Sequence, residues 1–129
     1  MSMKRFVLAL MLSSTTDVAA AQDAKFVAAL KLPGTLDSLA QEIWMKVIGS
    51  KACKIEKDLP KADMDTIFRV MNAIDEEGVK IAQVRAQAMV RGSPAPLKPG
   101  SLACKVVAQQ IEASKVIYQT LAASARGSN

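Results

Sequence analysis

The apolar residues fall into four groups, each with a helical repeat, divided by short polar or proline-containing breaks. In the first group, "DAKFVAALKL" (Asp23 to Leu32), Phe26, Val27 and Leu30 share one side and Pro33-Gly34 follows, which predicts a short helix. The second runs from Thr35 to the Leu59-Pro60 break, with Leu36, Ala40, Ile43 and Val47 on one stripe and Leu39, Trp44 and Ile48 beside it. Ser38 followed by Gln41 reads as a capping box, with Thr35 as an earlier start, and the residue before a proline is a natural stop.

The third group begins at an Asp63 cap and places Met64, Ile67, Met71, Ile74, Gly78 and Ile81 on one stripe. Its phase runs through Gly78, which predicts one helix in preference to two. Glycine inside a helix costs about 0.5–1 kcal/mol relative to alanine, so on this stripe it reads as room for another backbone. "RGSPAPLKPG" (Arg91 to Gly100) cannot hold a helix and reads as a stiff connection within one domain. After a Ser101 cap, Cys104, Val107, Ile111, Ser114, Tyr118, Leu121 and Ala125 repeat at helical spacing. Lys105, Gln109, Glu112 and Lys115 lie off that stripe, so the helix is amphipathic and not membrane-spanning. No stretch alternates as a strand would. The expected fold is all-α, a small bundle of three longer helices and a short N-terminal one.

The N-terminal segment changes the setting. Lys4 and Arg5 precede an apolar run from Phe6 to Leu12, and small residues lead to Ala19 and Ala21. This is the layout of a secretory signal peptide, residues 1–21, cut near Ala21; the run is far short of the ~20 residues that span a bilayer. Residues 22–129 then form a single helical domain in the periplasm or outside the cell. Aromatic residues make up only 4% of the chain, so its core rests on Ala, Val, Ile, Leu and Met. The net charge of +5 is spread along the sequence. A nucleic-acid binder clusters its basic residues and interleaves aromatics, so nucleic acid is not expected as a partner.

Export also bears on the two cysteines, Cys53 and Cys104. Cys104 falls in the first turn of its helix, where a free thiol is activated. An exported chain with two cysteines most often pairs them, and a Cys53–Cys104 bond is expected as a staple worth roughly 4 kcal/mol in the chain-entropy model. Cys53 sits about a third of a turn off its helix's stripe. Either Gly49-Ser50 breaks that helix or the bond lies at the edge of the helix contact.

The chain has no histidine, which removes Ser-His-Asp and Cys-His arrangements and the usual zinc sites. Asp63 reads as a cap and Asp75-Glu76-Glu77 as a solvated helix face. No catalytic residues, metal or cofactor are expected. The leading expectation is a non-catalytic protein-interaction role: an inhibitor, immunity protein, chaperone or adaptor. Trp44, Met45 and Ile48 are its candidate partner contact, since tryptophan is a frequent anchor at interfaces. The alternative is carriage of a small apolar ligand between the helices, with Gly78 and the methionines leaving room for it.

Overall fold

The computed structural model describes residues 24–127. The signal peptide expected over residues 1–21, with its cut near Ala21, lies outside those residues. Four helices form an all-α bundle: α1 over residues 24–30, α2 over Thr35–Cys53, α3 over Lys61–Arg91 and α4 over Leu102–Arg126. A single 3-10 turn, Glu56–Asp58, lies between α2 and α3.

The helix ends show how local chemistry sets each boundary. At the α1–α2 corner, Gly34 is left-handed (φ 81°) and caps α2 with no side-chain bond. The Ser38–Gln41 capping box does not form: Ser38 already lies in the first turn, its N–H donating to the Gly34 carbonyl at 3.0 Å. Helix α2 also stops earlier than Leu59-Pro60. It ends at Cys53, where Lys54 turns left-handed (φ 60°) and Ile55 N–H reaches back to the Ser50 carbonyl at 2.9 Å. This back-bonded end satisfies carbonyls that the last helical turn leaves open. Pro60, not Asp63, precedes the first turn of α3. Asp63 sits inside that turn, favoured there by the helix dipole, and accepts from Arg126 at 3.2 Å. Ser101 caps α4 as its sequence suggests, accepting from Cys104 N–H at 3.2 Å.

The spacing predicts one helix through Gly78, but α3 is two helical segments that meet at a kink at Asp75. Asp75 leaves helical geometry (φ −158°, ψ 81°), and its Oδ1 accepts the backbone N–H of Gly78 at 2.9 Å. Asp75 therefore caps the second half of α3, with Glu76 and Glu77 in the new first turn, where acidic residues are stabilising. Before the bend, α3 runs antiparallel to α2: Trp44 packs on Phe68 with ring centroids 4.8 Å apart, and Leu36 and Ile74 border the same hollow. After it, Arg85 pairs with Asp37 at 3.2 Å and Gln41 donates to the Met89 sulfur at 3.0 Å. The two pairs advance together, so the chain has turned back along α2.

The bend also moves the buried stripe of α3. Met64, Ile67 and Met71 are buried as their spacing predicts, but beyond Asp75 the buried residues are Val79, Ala82 and Ala86, and Ile81 is 42% exposed. The alanines let helix backbones approach closely. One continuous core joins Phe26 and Leu30 of α1, Leu36, Ala40 and Ile43 of α2, the buried face of α3, and Tyr118, Ala122 and Ala125 of α4.

Cys53 and Cys104 form a disulfide with a Cα–Cα separation of 5.5 Å, tying the last turn of α2 to the first turn of α4. No break at Gly49-Ser50 is needed, because α2 is continuous to Cys53. At this end of α2, Gly49 approaches Val107 and Cys53 bonds Cys104 of α4, while Leu36, Ala40 and Ile43 belong to the central core.

Candidate functional site

Where α2, the end of α3 with its proline-rich linker, and α4 come together, they leave a partly open cleft of about 600 Å³. Helix α2 contributes Glu42, Met45, Lys46 and Gly49; Met89, Val90, Ser93 and Leu97 form a second wall; Val107, Gln110, Ala113, Ser114 and Ile117 come from α4. The volume is that of a small-molecule site, and a mostly apolar lining with a few polar groups is the composition such sites have.

Local sequence accounts for the space. Gly49 and Val107 meet closely one turn inside the disulfide: a Cβ added at Gly49 would lie 3.2 Å from Val107 Cγ1 and 3.9 Å from Leu97 Cδ1. Helices α2 and α4 are thus held together at that end by a covalent bond and a close contact. Along the α4 wall, Ala113 and Ser114 are too small to fill the gap between them. The linker prolines prevent a helix over 92–100, so Leu97 reaches the cleft from extended chain.

Among the described residues, the charged groups of the lining, Lys46 and Glu42, both lie on the α2 wall. Lys46 is the only cation lining the cleft among the described residues, and its side chain is 11% exposed. Its Nζ donates to Glu42 Oε2 at 3.3 Å and lies 5.6 Å from the centroid of the Tyr118 ring, within cation–π range. Glu42 is at the rim, its side chain 58% exposed. Tyr118 lies behind this wall, fully buried, and its hydroxyl has no hydrogen-bond partner among the described residues. Burial, with the Glu42 charge adding to it, raises the phenol pKa well above the usual tyrosine value; the nearby Ser114 hydroxyl opposes this slightly. Ser114 commits its own proton to the Ile111 carbonyl at 3.0 Å.

The residues expected as a partner contact are distributed over different surroundings. Met45 lines the cleft. Trp44 is half-buried on the Phe68 side of α2, its indole N–H buried without a partner among the described residues, and Ile48 is half-buried. Met64 and Met71 belong to the core, whereas Met89 borders the cleft. Gly78 contributes no room to it: a Cβ there would lie 2.8 Å from Asp75 Cγ, so this glycine serves the bend. Lys46, Leu97 and Ile117 carried no sequence signal as site residues, since a lysine next to a stripe and a leucine between prolines are both ordinary surface features.

Among the described residues, no group of three or more His, Cys, Asp or Glu side chains is placed to hold a metal ion, and no helix is long and apolar enough to cross a membrane. The disulfide belongs to a non-reducing, exported environment. Compared with protein-family models, with curated proteins and with solved structures, the chain has no match.

Proposed function

We propose that this is an exported, non-catalytic binding protein that carries a small apolar ligand in the cleft between α2, α3 and α4. The observation that carries this reading is the cleft itself: about 600 Å³, lined by Met45, Met89, Leu97, Val107 and Ile117, with Gly49 and Val107 one helical turn from the disulfide. Methionines suit such a site because their flexible side chains adapt to different apolar shapes. A signal peptide cut near Ala21 would deliver the chain to the oxidising compartment in which Cys53 and Cys104 pair.

A second reading, contact with a partner protein as inhibitor, immunity protein, chaperone or adaptor, is favoured by a different observation. Helix α4 exposes Leu102 (78%), Val116 (68%), Val106 and Ile117, and Met45 at the cleft would extend that surface.

The deciding experiment is native mass spectrometry of the protein recovered without reductant from its exported compartment. An added mass of a few hundred daltons, lost when Gly49→Leu fills the cleft, is the expected result. A bare chain that also fails to take up a long-chain alcohol would refute carriage, and a co-purifying protein would support the second reading in its place.

A further inference from the structure

We infer that the ligand of the cleft is a single-chain amphiphile with a carboxylate head, held by Lys46 while its tail lies along Met45, Met89, Leu97 and Val107. The inference rests on the apolar-ligand reading above and adds the chemistry of the head group. An ammonium has three donors, and among the described residues Lys46 directs one, to Glu42. The Lys46 side chain is only 11% exposed, its stem packed along the cleft wall, and the single anion it meets among the described residues is a carboxylate in a mostly solvated position at the rim.

An incoming carboxylate can replace Glu42 one for one. The Glu42 side chain is 58% exposed, so it returns to water at little cost, while Lys46 exchanges one anion for another in the less exposed position. The charge count argues against a phosphate head. Among the described residues, Lys46 and Glu42 are the only charged ones lining the cleft, so a dianion would leave charge uncompensated there, and planar or multiple cations are the usual phosphate partners. A cationic head would meet the Lys46 ammonium beside Glu42. A neutral chain would fill the apolar part of the cleft and leave Lys46 paired with Glu42 as it is. The methionine and aliphatic walls suit an unbranched alkyl tail, whose flexibility they can follow.

The test is calorimetric titration of the oxidised full chain, at neutral pH and below micelle concentrations, with dodecanoate, dodecanol and dodecylammonium in turn. Dodecanoate is expected to bind at least about tenfold more tightly than dodecanol, the difference a hydrogen-bonded charge contributes. Dodecylammonium is expected to bind most weakly. Lys46→Met should level dodecanoate with dodecanol while keeping dodecanol binding, and Lys46→Arg should retain the preference; circular dichroism checks that both variants fold. Should Lys46→Met not fold, Lys46→Arg and the ligand series on the native chain carry the decision. Equal affinity for dodecanoate and dodecanol, a preference for dodecylammonium, or a preference that survives in folded Lys46→Met would overturn the head-group assignment and leave the apolar cleft standing. Failure of all three probes to bind would overturn both.

Discussion

Asp75 Oδ1 accepts the backbone N–H of Gly78 at 2.9 Å, across the one residue of α3 that leaves helical geometry. The two residues act as a unit, because the capping carboxylate occupies the space that a Cβ at position 78 would need. Asp75→Ala should cost about 1 kcal/mol, the usual loss for an N-cap, and Asp75→Asn much less, since asparagine caps as well. Gly78→Ala should destabilise by a similar amount although alanine is the better helix former, because it displaces the cap. Urea unfolding midpoints check all three. A stabilising Gly78→Ala would mean that the bend does not depend on the cap.

The disulfide joins helix ends separated by 51 positions in sequence. Closing a loop of that size stabilises by roughly 4 kcal/mol in the chain-entropy model, a large share of the 5–15 kcal/mol typical of small domains. Reduction, or a paired Cys53→Ser and Cys104→Ser variant, should lower the unfolding free energy by about 2–4 kcal/mol. Thermal denaturation with and without reductant measures it. Because Gly49 and Val107 lie one turn inside the bond, the reduced protein should also bind dodecanol more weakly than the oxidised protein at a temperature where both are folded.

Gly49 separates packing from binding. With Val107 Cγ1 at 3.2 Å from an added Cβ, Gly49→Ala needs only a small shift of one valine, and its stability should stay within about 1 kcal/mol of the native protein, helped by the better helix propensity of alanine. Gly49→Leu inserts a large side chain between α2 and α4 and should cost about 1–3 kcal/mol, as overpacking does, together with dodecanol binding. Calorimetric titration of the folded Gly49→Leu variant tests the second effect; undiminished binding would place the ligand elsewhere.

Tyr118 gives the protein an alkaline sensitivity. Burial raises its folded-state pKa, with the Glu42 charge adding to the shift, so the unfolded chain loses the phenol proton first, at about pH 10. Above that pH the folded state holds more protons than the unfolded state, and stability falls as pH rises, by at most about 1.4 kcal/mol per unit from this group. Below it the contribution is fully present. Tyr118→Phe should abolish this part of the decline. At neutral pH it should change stability by less than about 1 kcal/mol, since it removes a buried hydroxyl that has no partner among the described residues. Urea titrations of both proteins from neutral to alkaline pH give the comparison.

Much of the fold was legible because it depends on neighbours in sequence. Helical spacing located the four helices, the proline cluster located the break before α4, and Ser101 announced its own cap. The pairing of Cys53 with Cys104 follows from count and compartment, although Cys53 lies off the apolar stripe of its helix. Boundaries were less legible where the stop signal was weak. Lys54 ends α2 in a left-handed conformation that lysine rarely adopts, and nothing in "CKIEKDLP" distinguishes that stop from the later one at Pro60.

By itself the sequence determined an all-α chain with an alanine-rich core and one covalent staple, because helix periodicity, proline exclusion and cysteine count act locally or need no geometry. Tertiary structure alone decided the bend at Asp75. The same Asp-Glu-Glu run reads as a solvated face in a straight helix and as a cap with its first turn in a bent one; packing against α2 on both sides selects the bend. That bend brings Met89 and Leu97 back to α2 and encloses the cleft beside Lys46. A cleft is space between elements far apart in sequence, and no spacing along one helix records how far the others stand from it.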